Sequence, residues 1–245
     1  MIPSRPPEEP PASARSESAP AASAEILVFA KEPQPGAVKT RLSPPCTSDE
    51  AARLAAAMLA DTLAAVAATP ASRRVLVLDG RDGRQSAHWD VVPQRGDTQA
   101  ERLGAAFEEA RGPAVLIGMD TPHVTPALLR RAIRELSRPG IDAVIGAAED
   151  GGWWLLGLRR PDRAALVGVP MSTPKTARAQ RARLGALGLC FRELPVLRDV
   201  DDYPDALEVA RLAPRSSFAA ELARVSRRLD RSGGSVGRNG EGHGP

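Results

Sequence analysis

The sequence predicts an α/β domain with a mostly parallel sheet flanked by helices. Three observations lead there. Short, almost wholly apolar runs recur at 26–30, 75–78, 114–118 and 142–147, and runs of this length bounded by turn formers read as buried strands. Stretches with helix-start signals stand between them, the pattern of parallel strands joined through helices. The first strand then breaks into Lys31-Glu32-Pro33-Gln34-Pro35-Gly36, where two prolines and a glycine forbid helix and central strand. In a parallel sheet such a loop falls at the carboxyl ends of the strands, where phosphorylated ligands bind.

Each element in turn has a local reason. The loop after the first strand ends on Val38-Lys39-Thr40-Arg41-Leu42, so it carries the cations Lys31, Lys39 and Arg41. Thr47 with Glu50 three residues later has the spacing of a capping box, and an Ala- and Leu-rich helix over 51–68 follows. The strand over 75–78 closes on Asp79-Gly80, and 89–93 reads as a third strand. A helix over 98–110 leads to the strand over 114–118, which runs straight into Met119-Asp120-Thr121-Pro122. Thr125 as N-cap and Pro126 at the first position start a helix over 125–136. Strands follow over 142–147 and, after Gly151-Gly152, over 153–158. A helix over 176–187, a short strand over 189–194 and closing helices from 206 complete the unit. The folded domain is expected over 25–230. The Pro-, Ala-, Ser- and Glu-rich residues 1–24 and the Gly-rich residues 231–245 read as disordered extensions.

Composition excludes several classes. The 245 residues suffice for one domain with a sizeable core. Net charge is +3 and the pI about 9.3, with the excess mostly arginine scattered along helices. One Tyr, three Trp and four Phe do not make an aromatic nucleic-acid platform. Cys46 and Cys190 stand far apart in no CxxC pair, which implies neither a disulfide framework nor a zinc site and makes a reducing cytoplasm the expected location. No apolar run approaches the roughly 18–20 residues that span a bilayer, and the N-terminus lacks the apolar stretch of a signal peptide.

Five places carry candidate chemistry. The proline-rich basic loop is rigid, which suits recognition, although a merely solvated surface loop would also hold Lys and Arg. Only two residues separate Gly36 from Lys39, so the loop is not GxxxxGK[ST], and no GxGxxG follows a strand. Asp120 sits at the carboxyl end of a buried strand, where a carboxylate can hold Mg²⁺ or Mn²⁺ beside a diphosphate, or merely make a turn. In Glu149-Asp150-Gly151-Gly152-Trp153-Trp154 the glycines allow close approach of a ligand. The two indoles alternate faces, so one can line a pocket and the other belongs to the core. In Pro170-Met171-Ser172-Thr173-Pro174-Lys175 the SxxK spacing lacks its companion SDN and KTG motifs. A Ser/Thr cap with Pro174 at the first helical position accounts for it, and that helix start can still meet an anion. Asp199 and Asp201 alternate toward one side of an extended segment, where two like charges want a cation or an arginine between them. Exposed turn aspartates are the plainer reading. No HExxH or GxSxG occurs, and His88, His123 and His243 have no metal-ligand spacing.

Taken together, AKEPQPGAVKTRL, GMDTP, AEDGGWWLLGL, VPMSTPKT and DVDD resemble, in identity and order, the glycosyltransferase-like DUF2064 family, also called rSAM/selenodomain-associated transferase 1. The resemblance runs from about residue 25 to 212. It implies a single GT-A-like (Rossmann-like) domain of the nucleotide-diphospho-sugar transferase superfamily, similar also to phospholactate and molybdopterin guanylyltransferases. It makes Lys31, Gly36, Lys39 and Arg41 nucleotide-loop residues and Asp120 a metal ligand faced by Asp199 and Asp201. Asp150, Gly151 and Gly152 become the substrate loop, and Ser172 the pocket serine; Trp153, next to that loop, is the indole expected to face the substrate. The chain departs from the family pattern at Trp153-Trp154, Met171 and Asp202.

The reading that follows is a metal-dependent transferase with Mg²⁺ or Mn²⁺, a nucleotide or nucleotide-sugar donor, and a small-molecule acceptor that the sequence does not specify. Asp120, Lys39 and Arg41 would carry catalysis. Glycosyl transfer with release of a nucleoside diphosphate is the first expectation. Nucleotidyl transfer with release of pyrophosphate is the alternative, and a nucleotide-binding protein without turnover is a third. No nucleic-acid partner and no membrane span are expected.

Overall fold

The computed structural model describes residues 24–81 and 89–233. Residues 1–23 and 234–245, most of the expected disordered extensions, lie outside them. Within the described part, Ala24 is buried at the start of the domain and residues 231–233 continue the last helix.

Among the described residues, strands and helices alternate as expected. β1 (Glu25–Lys31), α1 (Ser48–Ala67), β2 (Arg74–Asp79), β3 (Asp90–Pro93), α2 (Gln99–Glu108), β4 (Ala114–Gly118), α3 (Pro126–Leu136) and β5 (Ala143–Ala147) form the first part. β6 (Trp153–Leu158), α4 (Thr176–Ala186), β7 (Phe191–Glu193), α5 (Tyr203–Leu212) and α6 (Ser217–Gly233) follow. The seven strands make one sheet in the order β3-β2-β1-β4-β6-β5-β7. All pairings are parallel except those of β6, which runs antiparallel to β4 and β5. The reason is local: only residues 148–152 separate β5 from β6, enough for a hairpin but too few for a crossover. The result is the mostly parallel mixed sheet of a single α/β domain.

Alternation along β1 shows how both faces are covered. Ile26, Val28 and Ala30 enter one core, shared with α1, α3, α5 and α6. Leu27 enters the other, where Leu103 and Phe107 of α2 and Leu184 of α4 pack. Helix starts follow from short-range chemistry. Thr47 and Glu50 form the expected capping box, Thr98 and Glu101 form another, and Thr125 caps α3 ahead of Pro126. Each such cap contributes about 1 kcal/mol.

One helix start differs from expectation, and another lies where expected but without the expected cap. α5 begins at Tyr203, because Asp202 caps it in a box with Asp205. α4 begins at Thr176 from Lys175 without a side-chain cap, so Pro174 is not its first residue. Ser172 instead takes a left-handed backbone, φ 55°, and turns its side chain elsewhere.

The sheet order positions the site. β1 has β2 on one side and β4 on the other, so the loops leaving β1 and β4 part and open a crevice at their carboxyl ends. No helix among the described residues is long and apolar enough to cross a membrane.

Candidate functional site

A cleft of about 830 Å³ lies at this crevice. One wall is the basic loop. Lys31 is exposed at the end of β1, and the Arg41 side chain is 75% exposed. Lys39 behaves differently. Its backbone is left-handed, φ 47° and ψ 39°, at the entry of the short turn Thr40–Leu42. Such geometry is costly for a residue with a Cβ and points to a function where the surroundings enforce it. Leu42, at the end of that turn, is wholly buried. The Lys39 side chain is only 10% exposed; its ammonium lies 2.7 Å from Asp120 Oδ1 and 3.7 Å from Asp201 Oδ1, and also donates to the Val200 carbonyl.

The facing wall is acidic. Val200 is fully buried, and its N–H donates to the Asp120 carbonyl at 2.9 Å. Pinning Val200 into the core turns its neighbours Asp199 and Asp201 the other way, toward the cleft, as alternation requires. Asp201 is held by Lys39 and, at 3.3 Å, by Arg41 Nη1. Asp199 is half-buried, and its Oδ1 is shut off from solvent with no hydrogen-bond partner. Burial first, then the charges of Asp120, Asp150 and Asp201, push its pKa up to about 8, with Lys39 opposing.

The third side joins two loops. Asp150 Oδ1 accepts from the Gly152 N–H at 2.8 Å. Gly151, φ 90°, lies so close to the 170–175 segment that a Cβ there would stand 2.1 Å from the Pro174 carbonyl oxygen. Its own carbonyl accepts from Ala177 N–H at 2.8 Å, so the hairpin turn and the start of α4 are one unit. Trp153 and Trp154 both border the cleft, but Trp154 is 2% exposed and packs into the core, donating its indole N–H to the Pro195 carbonyl. Ser172 Oγ donates to Gln99 Oε1 at 2.7 Å across the cleft.

The structure therefore brings Lys31, Lys39, Arg41, Asp120, Asp150, Gly152, Trp153, Ser172, Asp199 and Asp201 into one cleft. Two expected members stand apart from its lining. Gly36 makes an exposed turn, φ 75°, with open space around it. Gly151 packs against the neighbouring loop. Sequence reasoning missed Asp79 and Gln99, which also line the cleft. Asp79 ends β2 as Asp120 follows β4, and the same strand-end logic would have found it.

The three expected metal carboxylates, Asp120, Asp199 and Asp201, line the same cleft, with the Lys39 ammonium paired to two of them. Among the described residues no three His, Cys, Asp or Glu side chains stand together as a metal cage. Lys39 pairs with Asp120 at 2.7 Å and with Asp201 at 3.7 Å, and Arg41 pairs with Asp201 at 3.3 Å. Asp120 and Asp199 still fit a divalent ion: the orphaned oxygen of Asp199, crowded by other carboxylates, is the donor such an ion would relieve. Mg²⁺ needs only one or two carboxylates when ligand phosphates and waters supply the rest.

With the geometry in view, comparisons with known proteins add the lineage. The family model described as "Uncharacterized protein conserved in bacteria (DUF2064)" matches residues 47–173, just over half of the chain. The chain belongs to the DUF2064 family. The matched DUF2064 region holds Asp120, the Asp150 turn and Ser172; the basic loop precedes it and the Asp199 segment follows it. Among solved structures, a provisionally named nucleotide-diphospho-sugar transferase from Desulfovibrio desulfuricans G20 superposes with a TM-score of 0.75 at 26% identity, over 85% of this chain and 98% of that one. A nucleotidyl transferase from Methanothermobacter thermautotroptrophicus shares the fold at TM-score 0.52 and 16% identity, over 78% of this chain and 98% of that one. A cytidylyltransferase from Leptospira borgpetersenii does so at TM-score 0.52 and 12% identity, over 91% and 99%. No curated protein matches the chain.

Proposed function

We propose that this protein is a metal-dependent transferase that takes a nucleotide or nucleotide-sugar donor and acts as a glycosyltransferase. The observation that carries the reading is the charge arrangement of the cleft. An orphaned, crowded Asp199 carboxyl stands near Asp120 in the cleft that exposed Lys31 and Arg41 also line. Acid facing base across a crevice at strand ends suits a diphosphate held between a cation and a basic loop. The similarity to the Desulfovibrio protein, through its printed name, favours a sugar-nucleotide donor.

In this reading Asp120 and Asp199 hold Mg²⁺ or Mn²⁺, which when bound offsets the diphosphate charge of the leaving group. Lys31 and Arg41 approach the phosphates from the opposite wall. Asp201 orients Arg41 and Lys39. Trp153 offers an apolar face to a sugar ring, and Asp150, braced on Gly152, faces its hydroxyls. Ser172 narrows the cleft by its bond to Gln99.

The experiment is incubation with nucleoside triphosphates and nucleotide sugars plus Mg²⁺ or Mn²⁺. Release of nucleoside diphosphate is expected. Release of pyrophosphate instead would replace glycosyl with nucleotidyl transfer, and binding without release would leave a nucleotide-binding protein.

A further inference from the structure

Lys39 is a loop cation that does not face the cleft's open space. Its side chain is nearly buried, and its ammonium is shared by Asp120, Asp201 and the Val200 carbonyl. Arg41, two residues on, is the opposite: mostly exposed and touching only the rim of the acidic wall at Asp201. The strained backbone of Lys39 aims its side chain inward, so the burial is built into the loop.

We infer that the Lys39 ammonium is the resident counter-cation of the acidic wall and exchanges with the divalent ion, which makes metal and diphosphate bind cooperatively. The inference rests on the reading of the cleft as a metal–diphosphate site. Four carboxylates, Asp120, Asp150, Asp199 and Asp201, line this part of the cleft, and Lys39 is the cation placed on Asp120. A metal–oxygen distance of about 2.1 Å added to the 2.7 Å ion pair puts a divalent ion and the ammonium less than about 5 Å apart on the same carboxylate oxygen. At that separation a double and a single positive charge repel each other on one carboxylate, and water screens them only in part, because the Lys39 side chain is 10% exposed although Asp120 is 45% exposed. One of them must leave Asp120. The ammonium sits on a flexible four-carbon stem, and the groups that would receive it are the donor phosphates between Lys31 and Arg41. A metal arriving alone displaces Lys39 with no anion to accept it. A metal arriving with a diphosphate does not. Each ligand therefore raises the affinity for the other, by linkage. Lys39 is thus a positioning residue whose location reports whether the site is loaded.

The test needs no turnover. Mn²⁺ binding to the full chain is measured by electron paramagnetic resonance, alone and with each of GDP, UDP, ADP and CDP, in wild type, Lys39→Met and Lys39→Gln. Thermal melting checks that the variants fold. Mn²⁺ alone should bind the variants at least tenfold more tightly than wild type. The gain in Mn²⁺ affinity on adding the nucleotide should be smaller in the variants by a similar factor. Unchanged or weaker binding of Mn²⁺ alone to the variants would overturn the inference. If no nucleotide changes Mn²⁺ affinity in any of the three proteins, the diphosphate reading itself fails. Should neither variant fold, wild-type crystals soaked in Mn²⁺ and the best-binding nucleotide decide: Lys39 Nζ is expected to have left Asp120, and a retained 2.7 Å pair beside Mn²⁺ overturns the exchange.

Discussion

Two carboxylates are withheld from water at opposite ends of the sheet, and they are treated in opposite ways. Glu25 opens β1 at the amino end and is 4% exposed. One of its oxygens meets Arg73 Nη1 at 3.1 Å and the other accepts the Arg111 N–H at 2.7 Å. Arg73 in turn reaches Asp90 and the Glu109 carbonyl. Every buried charge there has a partner, so the group is a clamp between β1, β2 and the end of α2. Asp199, at the carboxyl end, keeps an oxygen with no partner and stands among like charges. A buried carboxyl with an unsatisfied oxygen among like charges is either held neutral by its raised pKa or completed by a ligand. The difference teaches how to separate a structural acid from a functional one: count partners, not burial.

Substitution at each end sharpens the contrast. The largest effect is expected for Asp199→Asn, with about a hundredfold loss of metal-dependent donor affinity by calorimetry and a melting temperature close to wild type, because an Asp199 whose pKa stands at about 8 is mostly uncharged at neutral pH, as asparagine is. A fall in melting temperature with donor binding intact would make Asp199 a structural acid and break the comparison.

Glu25→Gln should do the reverse. It leaves Arg73 with one carboxylate fewer in a buried setting and should cost about 2–3 kcal/mol. Chemical denaturation measures this, and donor affinity should stay within about twofold, since the two ends do not touch.

A third acid extends the comparison through pH. Glu50, buried at the start of α1, accepts two hydrogen bonds from Arg228 of α6, both at 2.7 Å. Burial pushes its pKa up, but the Arg228 and Thr47 hydrogen bonds outweigh that and hold it below the usual carboxylate value. A depressed folded pKa contributes stability that is complete above the unfolded value, about 4.3, and is lost as pH falls through the folded value. The stability gap between wild type and Glu50→Gln should therefore be present at neutral pH and shrink below about pH 4. Urea midpoints across that range check it, and a gap independent of pH would rule out the ion pair as its source.

The smallest effect is expected at the rim. Arg41→Ala should weaken donor binding about tenfold without moving the melting temperature, because exposed pairs such as Arg41 with Asp201 add little to stability. A stability loss comparable to that of Glu25→Gln would place Arg41 among the clamps.

Much of this was legible in the chain. Apolar runs bounded by turn formers marked β1, β2, β4, β5 and β6, and Thr47 and Thr125 marked helix starts, because burial period and capping act over a few residues. Asp120 was legible because its strand precedes it directly. Asp79 ends β2 in the same way and was overlooked. The start of α5 was misplaced because Asp202 could be read either as one of a run of acids or as a cap, and only the Asp205 contact distinguishes them.

What the sequence determined by itself, then, is the order of elements, the α/β class and the residue types at the strand ends. Local propensity and periodicity act between near neighbours and need no tertiary information. The tertiary structure alone decided which of those residues meet. It brought Lys39 to Asp120 and Asp201, residues 81 and more positions away, and buried Val200 so that its two neighbours turn to the cleft. It also sent Gly151 into loop packing and kept Gly36 outside. Those outcomes depend on where β1 and β4 part and on how the 199–201 segment is pinned beside them, and neither is written in any stretch of neighbouring residues.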